Sequence, residues 1–236
     1  MTVRHLLLAL VLAFAASLVV FAPLGLAARS PAWPAGLSVL QAHGTLWRGH
    51  LSRVAWGGHA FDAVDAGLHP LSWVLGVPRV RLRTGELDLA WSGGRVQGLH
   101  HGQGGVELPA GPSWGGLSLG LHLEALQMLF ADGRCLRAGG RLHVQADGAA
   151  LPAGPLELAG QPRCEGDEAR VVLTPRQALP DQPDIRADLA IGADGRYRLA
   201  VRVASQDPVL GMALLPAGFQ AGPAGFSRMV EGQLGD

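Results

Sequence analysis

With 236 residues, 48% hydrophobic and only 16% charged, the chain can bury a sizeable core and lies outside the disordered class, which pairs low hydrophobicity with high charge. Nineteen basic side chains, all arginine and scattered along the sequence, balance nineteen acidic ones, leaving no electrostatic footprint for nucleic acid. The absence of lysine and asparagine removes P-loop nucleotide hydrolysis, Schiff-base chemistry and a Cys-His-Asn protease site.

Residues 1–5 precede an apolar stretch from Leu6 to Leu26 that only Ser17, Pro23 and Gly25 interrupt. At 1.5 Å per residue it reaches roughly the 30 Å of a bilayer core, so one transmembrane helix is expected over residues 6–28, with 1–5 cytoplasmic. The stretch exceeds the about 7 to 15 apolar residues of a cleaved signal peptide. An uncleaved anchor is therefore the expectation, although Gly25-Leu26-Ala27 has the small-residue pattern of a cleavage site. Arg4 and Arg29 flank the stretch evenly and do not orient it. Residues 29–36, with Pro31 and Pro34, read as a linker, and 37–236 as one periplasmic β domain.

Beyond the linker the sequence falls into short runs of period-two alternation broken by Gly, Pro and Asp-Gly. Around Thr84-Gly85, Val80, Leu82, Leu87, Leu89 and Trp91 alternate with Arg81, Arg83, Glu86, Asp88 and Ser92, as in a half-buried hairpin. Leu142 and Val144 alternate with His143 and Gln145. In the clearest hairpin, Ala187, Leu189 and Ile191 lead into an Asp194-Gly195 turn and Tyr197, Leu199, Val201 and Val203 return. Arg186, Asp188, Arg196, Arg198 and Arg202 fall on its wet face. Pro70 to Leu75 reads as helical, and Leu121 to Phe130 fits either a helical stripe or, with Leu117 and Leu119, a strand. No βαβ rhythm is present. The expected fold is mainly β, a curved antiparallel sheet or β-meander preceded by one transmembrane helix.

Cys135 and Cys164 are the only cysteines. An even count in an exported chain reads as one disulfide, hence an oxidising compartment. A metal or redox pair is the competing reading, but neither cysteine has a second Cys or a His two to four positions away. Gly116-Leu117-Ser118-Leu119-Gly120 formally matches a hydrolase nucleophile elbow, which requires a strand-to-helix turn in a parallel sheet. Its triad would need Glu124 or Asp132 with His143. His43, His50, His59, His69 and the pair His100-His101 contain no HExxH spacing, and adjacent strand residues face opposite ways, so solvent-facing histidines are expected. Asp62 and Asp65, like Glu86 and Asp88, resemble a catalytic pair only in number. Six Trp (33, 47, 56, 73, 91 and 114) against one Tyr suit core packing or interfacial anchoring. No catalytic, cofactor or metal site is expected.

Gly44-Thr45-Leu46-Trp47-Arg48-Gly49 resembles the Gly-Thr-x-Trp-x-Gly signature of the type II secretion system protein N family, which follows a single N-terminal membrane helix. Leu68-His69-Pro70-Leu71 with Leu75-Gly76, the Cys135 and Cys164 pair around Gly139-Gly140, and Gly218-Phe219 through Leu234 are similar to further segments of that family. The resemblance implies a non-enzymatic accessory or assembly component of the machine that exports folded proteins from the periplasm. It would be anchored in the inner membrane, with other secretion-system subunits as partners. The alternative is an AsmA-like envelope protein that handles lipid in an apolar groove.

Overall fold

The computed structural model describes residues 3–27, 37–56, 59–69, 72, 79–108, 118–148, 154–176 and 183–234. The fold is mainly β, one long antiparallel meander, and the chain divides into two compact units at Gly85 and Glu86.

The first unit opens with helix α1 (Val3–Val20), rich in Leu and Ala. Its last helical bond runs from the Phe21 N–H to the Ser17 carbonyl at 2.9 Å. Pro23, which has no N–H and whose ring would clash with a carbonyl four residues back, prevents continuation. A separate turn, α2 (Leu24–Ala27), follows. The expected single helix over residues 6–28 is therefore corrected to two pieces. At 18 residues α1 is about 27 Å long, and among the described residues no helix is long and apolar enough to cross a membrane.

Strands β1 (Leu37–Gly44), β2 (Gly49–Trp56), β3 (His59–Leu68) and β4 (Arg79–Arg83) then pair in chain order. Their core gathers Leu51, Val54, Val64 and Ala66, joined by Leu24 from α2. Leu51 and Val54 both face inward although three positions apart, because Arg53 lies in the left-handed region at φ 52° and inverts the alternation. The β1 residue level with it, Leu40, is turned outward and is 64% exposed.

The second unit carries β5 (Leu87–Ser92), β6 (Val96–Leu108), β7 (Ser118–Ala131), β8 (Arg134–Asp147), β9 (Leu156–Gly160), β10 (Pro162–Glu165), β11 (Glu168–Pro175), β12 (Asp184–Ile191), β13 (Arg196–Ala204), helix α3 (Pro208–Leu214), β14 (Gln220–Gly222) and β15 (Gly225–Gln233). The order is β5-β6-β7-β8-β9-β11-β12-β13-β15-β14, with β10 also on β11. Val171, Leu173, Leu142, Leu158, Val203 and Phe226 lie in one apolar cluster, against which α3 packs Leu210 and Leu214. The expected β12–β13 hairpin forms, pairing Ala187 with Val201 and Leu189 with Leu199, and Gly195 takes φ 79° in its turn. β14 and β15 lie within the closing segment from Gly218-Phe219 to Leu234.

Two departures have a common cause. Leu121 to Phe130 is strand throughout, yet the register shifts between Glu124 and Gln127 and Ala125 stands at φ 48°. This bulge places the inward leucines Leu123 and Leu126 three apart, which imitates helical spacing. In β5 a shift between Ala90 and Trp91 turns Trp91 out, 46% exposed, and buries Ser92, whose hydroxyl donates to the Val96 carbonyl at 3.0 Å. The predicted helix at Pro70 to Leu75 lies outside the described residues except Ser72, which is buried and donates to the His69 carbonyl at 2.7 Å.

The β7 bulge depends on one neighbour. A Cβ on Gly140, which sits at φ 88°, would lie 2.4 Å from the Ala125 carbonyl oxygen, whereas one on Gly139 would meet nothing within 4 Å. We expect Gly140→Ala to lower unfolding free energy by about 2 kcal/mol or more, and Gly139→Ala to change it by less than about 0.5 kcal/mol. Urea titration followed by circular dichroism separates the two; equal effects would remove the bulge from the account.

Candidate functional site

The signature residues Gly44, Thr45, Trp47 and Gly49 make the β1–β2 turn. The Thr45 N–H donates to the Arg48 carbonyl at 3.0 Å, the Arg48 N–H donates back to the Thr45 carbonyl at 3.2 Å, and the Thr45 hydroxyl takes a second contact from that N–H at 3.3 Å. Gly44, at φ 91°, leaves room where a Cβ would lie 2.5 Å from the Arg48 carbonyl oxygen. Gly49 makes room for a different segment: a Cβ there would sit 2.1 Å from Leu24 Cδ2. Leu24, 5% exposed, enters the core through that gap.

The turn also grips the end of α1. The Trp47 indole N–H donates to the Val20 carbonyl at 3.0 Å and the Leu46 N–H to the Ala22 carbonyl at 2.9 Å, while Pro23 bridges Thr45. On the other side, the Leu68 N–H donates to the Leu46 carbonyl at 2.9 Å. Three chain segments thus converge on one six-residue signature. Sequence reasoning gave Trp47 a packing role but gave no sign that its N–H reaches back to the leader, because that partner lies 27 positions away.

His69 directly follows β3, with its N–H on the Arg79 carbonyl at 3.0 Å; Pro70 and Gly76 lie outside the described residues. Cys135 and Cys164 are bonded, Cα to Cα 5.5 Å. β8 pairs with β9 only from Leu142 to Ala146, so the disulfide fastens the opening of β8 to β10.

The other candidate constellations do not assemble. Ser118 opens β7 opposite Asp147, donating its hydroxyl to that carbonyl at 3.2 Å. His143 does meet Glu124, with Nε2 and Oε1 3.3 Å apart, but stands opposite His122, four residues or about 13 Å along the strand from Ser118. That His143–Glu124 approach is of ion-pair distance without hydrogen-bond geometry. His50 pairs with Asp65 at 2.8 Å, both half-exposed or more. Among the described residues no three His, Cys, Asp or Glu side chains are arranged to hold a metal ion.

On the polar face of β11–β13, Arg170 donates from Nε to Asp188 at 2.6 Å, forms a second bond to the same carboxylate, and reaches Glu165 at 2.8 Å. The Arg170 bond, with its charge, holds the Asp188 carboxyl below its usual range against the opposing effect of partial burial. A cavity of about 430 Å³ here is lined by Arg170, Arg186, Asp188, Arg198, Arg202 and Met229. A second, near Glu86, Glu107, His122, Glu124 and His143, is also polar. The wet face of the β12–β13 hairpin was legible in the alternation; the bidentate pairing to Arg170 was not.

Because the native Asp188 pKa is depressed, its contribution to stability is present above the unfolded value of 3.8 and is lost as pH falls through the lower native value. Acid titration of the wild-type chain should therefore show a stability loss below about pH 4. Asp188→Asn should flatten that portion of the curve, and an unchanged slope would refute the pairing.

No curated protein and no solved structure matches the chain. The family model for type II secretion system protein N matches residues 35–227, a span that includes the signature turn and both cysteines and ends in the first residues of β15. The chain belongs to the type II secretion system protein N family.

Proposed function

We propose that this protein is a non-enzymatic accessory or assembly component of the type II protein secretion system. In this reading α1 anchors it in the inner membrane, both β units lie on the periplasmic side, and the sheet docks other subunits of the machine. The family match over residues 35–227 carries the reading. The Cys135–Cys164 bond supports the compartment, since such bonds persist where the surroundings are oxidising. Leu7, Leu10, Leu12, Phe14 and Leu18 of α1 are all more than half exposed, which suits a helix surrounded by lipid. Its shortfall of about 3 Å against the hydrocarbon core is within what local bilayer thinning and boundary residues accommodate. For docking, β1 ends the sheet order and contains no proline or charged residue among Leu37–Gly44. An edge of that kind is suited to receiving a partner strand.

Two measurements test this. In intact cells of the native host, Cys135 and Cys164 should resist a thiol-alkylating reagent until reductant is added; labelling without reductant would remove the periplasmic placement. A photocrosslinker in place of Leu40 should join the protein to secretion-system subunits. Adducts with phospholipid alone would favour the lipid-handling alternative.

A further inference from the structure

The turn that carries the family signature does more than close a hairpin. α1 ends at Val20, and its final carbonyls have no partner within the helix once Ser17 has bonded Phe21. A water-poor boundary leaves such groups costly unless a protein donor meets them. Trp47 Nε1 meets the Val20 carbonyl at 3.0 Å, and the Leu46 N–H meets the Ala22 carbonyl two residues on. Trp47 is half-buried, while Phe21 beside it is 71% exposed and Arg48 is exposed on the same turn. An indole with one wet and one apolar side, an exposed aromatic ring and an arginine are the side chains favoured where headgroups meet acyl chains.

We infer that the Gly44–Gly49 turn is a membrane-boundary surface. It seats on the headgroup layer of the bilayer that holds α1, with Trp47 both capping the helix and lying at the lipid interface. The first β unit is thereby set directly on the membrane surface, since Leu24, four residues past the helix end, is buried in the gap at Gly49. The occupant of this surface is lipid because the turn is bonded to the last residue of an apolar helix, so its depth follows from that helix. The inference rests on the proposed anchoring of α1, and the experiment separates the two.

The full-length protein is placed in vesicles of phosphatidylethanolamine and phosphatidylglycerol brominated at either a shallow or a deep acyl position. Shallow bromines are expected to quench wild-type tryptophan emission more than deep ones, and Trp47→Phe to reduce that shallow component at least about twofold. Leu12→Trp, in the middle of α1, should add emission quenched by deep bromines. Deep quenching at position 12 with no loss of the shallow component in Trp47→Phe overturns the boundary surface while the anchor stands. No quenching at position 12 overturns both. A second measurement guards against a misfolded variant: amide exchange at Leu46, bonded to Ala22, should accelerate about five- to tenfold in Trp47→Phe, the loss of one hydrogen bond. Exchange at Val171, in the second unit, should not change. Unchanged exchange at Leu46 would show that Trp47 does not hold the joint and would also overturn the inference.

Discussion

The bond from the Trp47 indole to the Val20 carbonyl, with Leu46 to Ala22 beside it, is where a helix built for an apolar surrounding becomes part of a sheet. Each such bond contributes only about 1 kcal/mol net, yet together with Leu24 they fix a geometry. Burying Leu24 adds about 1.5 to 3 kcal/mol. The remainder of the first unit follows from that seat. Gly49, paired with Gly44 across the β1–β2 ladder, leaves the space that Leu24 fills, and Leu51, Val54, Val64 and Ala66 close around Leu24.

The second unit obeys a different constraint. Its long strands share one apolar cluster, and their regular alternation is interrupted where the register shifts. Shifts of this kind follow Ala90, Leu99 and Glu124. β8 leaves the β9 ladder before Leu142, and the Cys135–Cys164 bond secures the part that has left. The loop it closes, 29 positions apart, is worth about 3 to 4 kcal/mol in the chain-entropy account. Arg170, bonded to both Asp188 and Glu165, ties three strands on the polar side of the same sheet. Among the described residues, two cavities of this unit are lined by charged side chains.

Where alternation was unbroken, the sequence was a faithful guide: the Ile185 to Val203 hairpin has its expected turn and wet face. It was ambiguous or silent where Ala125 and Arg53 took a left-handed backbone. Ala125 made a bulged strand read as a possible helix, and Arg53 put Leu51 and Val54 on one side although they are three apart. Alternation counts positions and cannot register a φ angle. Apolar length likewise overstated the leader as one helix, because hydrophobicity does not reveal that Pro23 turns the chain and that Leu24 belongs to the sheet. The signature was visible as a motif, while its purpose depends on a partner far back in the chain.

The gap at Gly49 has a consequence for where this domain begins. A globular unit is usually delimited by its first strand, yet here residue 24 supplies a core side chain that no residue of the sheet replaces. Trimming the chain at residue 28 to obtain a water-soluble fragment would leave a leucine-sized hollow over Gly49, beside Leu51, Val54, Val64 and Ala66, open to whatever greasy side chain passes by. Such a fragment would be prone to self-association for a reason that lies in its missing plug rather than in its own sequence.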